Sequence, residues 1–416
     1  MERLPSSKVI LVFLFLGIAS GLYFEKSDSL LGFNFYYFFN LVGLIFLNSL
    51  KMIVIPLIMS SLIYNISSFN SVSNLSGLGV KTIAFYLFTS IVAILIGMFV
   101  VNTIQPGILN GAGAANIIGL GSNYDLGGII SSKENYSVES FFLSIFSGNI
   151  FSSIANGNML FIILFSVVFG LSIRSSANAN KGIGVLKDFW EGMYLIFLKI
   201  TKYILFFTPY GVFCLVAKAT MNFSPESYVI LLNFFITVLA GLLIHIAVTY
   251  PLILYFFKKN IVQHFKGMSP ALLVAFSSSS SVATIPVTSK CLIDNLHYKE
   301  ENVNFIIPIG ATINMDGTAL FECVAVIFIA QLYGVDLSYI DQFLILSLAL
   351  ITSIGVAGIP SASFVAIIVI LSAVGLPFEA VGIILGIDRI LDMLRTSVNV
   401  FGDSCCVSAL TSKNNL

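Results

Sequence analysis

Apolar runs long enough to cross a bilayer occupy most of the first 260 residues, and nothing else in the sequence constrains the fold as strongly. A helix needs roughly 20 apolar residues to span about 30 Å of hydrocarbon. Such runs lie near 9–24, 36–67, 80–104, 154–173, 189–219 and 228–257. The run at 36–67 exceeds one upright span, so it is expected to tilt steeply or to kink at Pro56. A soluble domain carries about 25% charged residues. This chain carries 10%, with 57% hydrophobic, and could not cover a surface facing water. An all-α polytopic membrane protein is the expected class.

Lysine and arginine in the short connections set the orientation. Alternate connections carry Arg3 and Lys8, then Arg174, Lys181 and Lys187, then Lys258, Lys259 and Lys266. The other side holds Lys26 and Lys133 and little else, which puts the N-terminus in the cytoplasm. MERLPSSK leads into an apolar stretch without a small-residue cleavage signal, so the first helix is expected to be retained. The Gly/Asn-rich stretch at 105–135 reads as a flexible extramembrane loop. Basic and acidic residues balance at 20 each, which gives nucleic acid no hold. Cys214, Cys291, Cys323, Cys405 and Cys406 form neither a CxxC pair nor a Cys/His set, so no disulfide framework or zinc site is implied.

Beyond residue 267 the pattern changes. Small polar residues and proline interrupt the apolar stretches at AFSSSSSVATIPVT (275–288), GATINMDGTAL (310–320) and SIGVAGIPSASF (353–364). ATIP at 283–286 and AGIP at 357–360 resemble each other. Non-helical backbone at membrane depth is tolerated only where protein or a water-filled cavity covers it. Interrupted segments in corresponding positions of two halves point to a transporter binding site. The expected organisation is an N-terminal scaffold and a C-terminal functional core.

The final helix, GIDRILDMLRTSVNVFGD (386–403), carries Asp388, Asp392, Arg395, Asn399 and Asp403 at spacings of 4, 3, 4 and 4. At 100° per residue they fall within about 80° of one another, on one face. Such a stripe on an apolar helix is costly and should face a polar cavity. A structural ion-pair seam is the plainer alternative, but three carboxylates with one or two arginines leave negative charge that cations would balance. Arg389 lies about 100° off this face and is free to snorkel or to pair with Asp388. NMDGT at 314–318 is a polar knot between apolar flanks. Unwound carbonyls beside Asp316 would make an all-oxygen site for a hard cation such as Na⁺. Tyr86, Thr89 and Ser90 read on their own as ordinary hydroxyl contacts between helices. The serine run 277–281 is either a linker or a hairpin tip whose amides meet an anionic group. Burial favours the neutral form of a carboxylate, so Glu322, alone among apolar neighbours, is a proton carrier or a hydrogen-bonded structural group. His245, His264 and His297 are scattered, and HExxH and GxSxG are absent, so catalysis has no support. An intramembrane aspartyl protease would need a second aspartate in a span, but YD at 124–125 lies in the loop, and Val400 stands where the FGD motif at 401–403 would need glycine.

NMDGT, AGIP and DMLRTSVNVFGD in this order resemble the dicarboxylate/amino acid:cation symporter family. The likeness is strongest over 270–411 and extends to LKMIVIPLIMSSLI (50–63), YLFTS (86–90) and FTPYGVF (207–213). The resemblance implies a homotrimer in the plasma (inner) membrane. Each protomer would have eight transmembrane helices and two re-entrant hairpins, built as inverted repeats and working as an elevator. Residues 1–219 would be mainly scaffold and trimerisation helices, with 80–104 belonging to the transport unit. Residues 228–411 would be mainly transport core, with hairpins near 268–292 and 340–376, and 412–416 a tail. It implies sodium sites at Gly310, Asn314, Asp316, Asn399 and Asp403, at Tyr86, Thr89 and Ser90, and at the backbone around Thr312, Ser353, Ile354 and Val356. For substrate it implies Arg395 and Thr318 at a side-chain carboxylate and Asp392 at the α-amino group. Asn399, Ser280 and Ser281 would meet the α-carboxylate, with Gly358, Ile359 and Ser363 in the second hairpin tip. Glu322 matches a position linked to proton coupling. Two departures stand out, since Ser279 and Met393 occupy positions where relatives carry an arginine. The implied function is import of L-glutamate and/or L-aspartate with Na⁺, with no cofactor. A C4-dicarboxylate symporter, a neutral amino acid exchanger, and an anion channel or inactive scaffold are the alternatives.

Overall fold

The computed structural model describes residues 7–26, 28–30, 33–68, 76–115, 117–118, 148–156, 159–176, 181–221, 225–355 and 363–412. Helices make up nearly all of them. The chain opens with α1 (Ser7–Tyr23), α2 (Phe35–Ser68) and α3 (Ser76–Ile104). Then come α4 (Ile150–Asn156), α5 (Met159–Ser176), α6 (Lys181–Phe206) and α7 (Thr208–Thr220). α8 (Pro225–Ile244) runs through a π turn at His245–Thr249 into α9 (Tyr250–Phe256). α10 (Ile261–Ser278) and α11 (Ser281–Lys290) follow, and a second π turn, Cys291–Asn295, leads towards α12 (Glu300–Ile313). The last elements are α13 (Asp316–Leu332), α14 (Tyr339–Gly355), α15 (Ser363–Ala373) and the 30-residue α16 (Val381–Leu410).

Among the described residues, four stretches are long and apolar enough to cross a membrane: Phe35–Tyr64, Gly77–Ile104, Glu226–Phe256 and Glu300–Leu332. α2 continues without a break through Pro56, so the long 36–67 run is one helix. The run expected as one span at 189–219 is instead two helices, α6 and α7, bent by 50° at their junction. Pro209, in the first turn of α7, offers no N–H to the preceding turn, and Phe207 (φ −84°, ψ 0°) forms the break. The stretch expected as a flexible loop from 105 begins as a hairpin, β1 (Ile108–Leu109) against β2 (Ala112–Gly113). Asn110 and Gly111 turn it with φ of 53° and 80°, the positive values a tight hairpin requires. The hairpin docks on the end of α13, where Ala115 N–H donates to Leu332 O at 2.8 Å. The rest of that stretch, beyond residue 118, lies outside the described residues.

α13 is mainly apolar, with Glu322 buried midway, and lies at the centre. α3, α8, α14, α15 and α16 pack around it, which buries almost its whole length. At the opposite extreme, α1 and α7 approach by their backbones. Gly17 and Gly21 lie one turn apart, and a Cβ on either would meet Phe213 O at 2.8 Å or Ala217 O at 2.5 Å. Small residues at this spacing let helices touch where lipid offers no hydrophobic drive. Gly21→Leu should therefore lower the melting temperature in detergent by several degrees, the range for an overpacked contact of about 1–3 kcal/mol. A wild-type melting curve would show that this approach does not hold α1 in place.

Candidate substrate and cation site

Two breaks in helical geometry build the site. The first is the gap between α12 and α13, where Asn314 (φ −81°, ψ 98°) and Met315 (φ −124°, ψ 43°) leave the helix. α16 staples this gap. Asn314 Nδ2 donates to Asn399 O at 3.0 Å and to Asp403 Oδ1 at 2.9 Å, while Gly317 N–H donates to Asn399 Oδ1 at 2.8 Å. The second break is the π turn before Pro251, which puts His245 and Tyr250 on one side of their helix. Tyr250 OH donates to Asp316 Oδ2 at 2.7 Å, and His245 Nε2 lies 3.2 Å from the same oxygen. The tautomer with its proton on Nε2 fits this geometry. Ser90 Oγ donates to Asp316 Oδ1 at 2.5 Å.

Asp316 and Asp403 are thus buried carboxylates held only by neutral hydroxyl and amide donors and an imidazole. No Lys or Arg pairs with either among the described residues. Asn314 Oδ1, 0% exposed, has no hydrogen-bond partner among them. Buried oxygens left without donors beside two carboxylates fit a hard cation. The described residues hold no group of three His, Cys, Asp or Glu side chains that could bind a metal, so transition-metal ligation has no set to use. Tyr86 Oη and Asp403 Oδ1 converge on Gly310, where a Cβ would collide with both.

The guanidinium of Arg395 forms a second cluster beside the first. Its Nη2 donates to Asp388 Oδ1 at 2.7 Å and to Asp392 Oδ1 at 3.1 Å, and its Nη1 donates to Ser363 Oγ at 3.1 Å. The plane lies over Phe321, 3.8 Å from the ring centroid. Arg389 pairs with Asp392 at 3.3 Å, not with Asp388 as the sequence alone allowed, because Arg395 reaches back seven residues to take Asp388. Two arginines thus match two aspartates here, and the uncompensated charge sits on Asp316 and Asp403. Asn399 joins the clusters, for its Nδ2 lies 3.3 Å from both Thr318 Oγ1 and Met315 Sδ.

Other expected site residues lie nearby or apart. Thr89 is buried and donates to Tyr86 O at 3.2 Å within its own helix. The Thr312 side chain points outward and donates to Ile309 O at 2.9 Å. Ser353 is buried and donates to Leu350 O at 3.0 Å. The serine run is a helical tip: Ser279 takes left-handed backbone (φ 50°, ψ 38°), and Ser280 caps α11 by accepting from Ala283 N–H at 3.2 Å. Ser281 is buried at the first position of α11. Ile354 ends within α14, its side chain undescribed, and Val356, Gly358 and Ile359 lie outside the described residues, as does AGIP. Glu322 is 0% exposed and meets Thr352 of α14 at 2.9 Å. Sequence reasoning missed His245, Tyr250, Phe321 and Thr352. His245 was detectable, because an ionisable side chain inside an apolar run marks a functional position by default; Phe321 and Thr352 carry no such signal.

Buried carboxylates and an arginine at a helix break inside an apolar bundle define a multi-pass membrane transporter that moves charged cargo. Residues 7–413 match the model of the sodium:dicarboxylate symporter family, and the chain belongs to that family. Similar proteins include a proton/sodium-glutamate symport protein of Bacillus caldotenax, 35% identical over 97% of this chain and 93% of its own length. Another from Geobacillus stearothermophilus is 36% identical over 87% of this chain and 85% of its own. Excitatory amino acid transporter 3 of Mus musculus is 34% identical over 94% of this chain and 82% of its own.

Gly310→Ala should abolish sodium-dependent stabilisation without removing any oxygen, since the new methyl fills the space between Tyr86 and Asp403. Melting temperature against NaCl concentration checks this: the wild type should rise with sodium and the variant should stay flat. A variant that responds like the wild type would move the cation elsewhere.

Proposed function

We propose that this chain is a secondary active symporter that imports L-glutamate and/or L-aspartate together with Na⁺ and H⁺ across the plasma (inner) membrane. The observation that carries this reading is the division of charge. Asp388 and Asp392 have arginine partners, whereas Asp316 and Asp403 have none among the described residues. Sodium supplies the missing charge at Asp316, Asp403, Asn314, the Asn399 region and the Gly310 carbonyl, with Tyr86, Thr89 and Ser90 completing a neighbouring site. The backbone around Thr312, Ser353 and Ile354 supplies a third.

The substrate's side-chain carboxylate takes Arg395 bidentately, a geometry guanidinium suits. It does so by displacing Asp388 from the guanidinium. Thr318 supports this carboxylate, and Asp392 takes the ammonium. Asn399 and the serine tip at Ser280 and Ser281 face the α-carboxylate, with Ser363 in the second hairpin tip. A C4-dicarboxylate has no ammonium and would be repelled by Asp392, and a neutral amino acid would leave Arg395 without its partner. Glu322 carries the proton: neutral on the way in, it lowers the charge moved through the apolar layer. The working unit in this reading is a homotrimer with cytoplasmic N-termini. Each protomer has eight spans and two re-entrant hairpins, α10–α11 and α14–α15. The core from 228 to 411, with 80–104, moves as an elevator against the scaffold.

Radiolabelled uptake into proteoliposomes, with unlabelled competitors and with or without a sodium gradient, tests the reading. Uptake that is indifferent to sodium, or that succinate blocks better than aspartate, would overturn it. Arg395→Cys should cost acidic substrates about 2–5 kcal/mol, the range for removing one partner of a buried charge pair, and admit serine or alanine. Unchanged competition by glutamate and aspartate would place the side-chain carboxylate elsewhere. Glu322→Gln should still exchange substrate while its net uptake loses its pH dependence, and a pH profile like the wild type's would leave Glu322 structural.

A further inference from the structure

Thr352 lies in the last turn of α14, and its hydroxyl touches two oxygens. Oγ1 is 2.7 Å from Leu348 O, one turn back in the same helix, and 2.9 Å from Glu322 Oε2 on α13. A hydroxyl has one proton to give and lone pairs with which to accept. The shorter contact is the back-bond that helical threonine commonly makes to the carbonyl four residues earlier, and it uses that proton. If Glu322 were ionised, the remaining contact would set two oxygens at 2.9 Å with no hydrogen between them. A proton on Glu322 Oε2 resolves the conflict: it donates to Thr352 Oγ1, and both contacts become hydrogen bonds.

The surroundings favour the same arrangement. Glu322 is 0% exposed, and its Oε1 has no hydrogen-bond partner among the described residues, a position a neutral carbonyl oxygen bears at less cost than half of a carboxylate. The charged group that acts on Glu322 is Arg395 of α16, whose Nη atoms are committed to Asp388, Asp392 and Ser363. Cys323, next to Glu322 on α13, is its titratable neighbour.

We propose that Thr352 is the positioning residue for the transported proton: its hydroxyl accepts the hydrogen bond of protonated Glu322 while donating to Leu348 O, so that both contacts hold together only in the protonated state. The proton remains on Glu322 while both contacts hold. When it leaves to water on the far side, Glu322 Oε2 and Leu348 O compete for the single hydroxyl proton of Thr352, and one of the two contacts is lost. Proton release is thereby linked to loosening of the last turn of α14, either within the helix or in its hold on α13. This inference rests on the reading of Glu322 as proton carrier and deepens it.

The test compares the wild type with Thr352→Ser, Thr352→Val, Thr352→Ala and Glu322→Gln in proteoliposomes. Uptake of aspartate and glutamate is measured against pH, and substrate-dependent proton flux with an internal pH dye. Thr352→Val and Thr352→Ala should move the pH of half-maximal uptake downward by about one unit, the shift one net hydrogen bond supports. Thr352→Ser should restore the wild-type midpoint. A midpoint that stays in place or moves upward in the hydroxyl-free variants, while the wild type carries protons and Glu322→Gln loses its pH dependence, overturns the role of Thr352 alone. A wild type without proton flux, or a Glu322→Gln variant with the wild-type profile, overturns the proton reading of Glu322 and this inference with it. The alanine variant gives the same readout if the valine side chain prevents insertion.

Discussion

Two buried carboxylates that no lysine or arginine pairs among the described residues govern this molecule. Desolvating an ion costs several kcal/mol even after the protein relaxes, and that cost is repaid only by partners. Asp316 and Asp403 receive Ser90, Tyr250, His245 and Asn314, all short of a full compensating charge. In the reading proposed above, the site is incomplete by itself until a cation completes it. An enzyme or a scaffold would have little use for such a deficit. A symporter depends on it, because the deficit makes binding of the driving ion obligatory.

The departures from regular helix follow from the same need. An uninterrupted helix through 300–332 would spend its carbonyls on itself and offer none to an ion. The gap at Asn314–Met315 frees them, and Asn399 holds the gap open by accepting from Gly317 and receiving from Asn314. The π turn ahead of Pro251 does for α8 and α9 what the gap does for α12 and α13: it turns His245 and Tyr250 toward one carboxylate. Beside them, Asp388 occupies the guanidinium of Arg395, so the positive charge is paired within the protein.

Much of this was legible in the sequence. The spacing of Asp388, Asp392, Arg395, Asn399 and Asp403 fixed one face of the last helix, and NMDGT between apolar flanks marked the break. What the sequence did not disclose is pairing. Periodicity says which residues share a face, but not that Arg395 spans two turns to Asp388 and shares Asp392 with Arg389. It cannot see that the helix ahead of Pro251 passes through a π turn at His245–Thr249. Nor does an apolar run distinguish one helix from two: 189–219 read as a single span until Pro209 is given its steric weight.

The most direct test of the central claim is the affinity of the purified protein for aspartate and glutamate, measured across about a hundredfold range of NaCl with choline holding ionic strength constant. Coupling between two ligands is reciprocal, so sodium that completes the site must tighten the substrate. The account predicts that the apparent Kd falls steeply as sodium rises. A Kd that stays constant across the range would mean that Asp316 and Asp403 need no transported cation, and would contradict it.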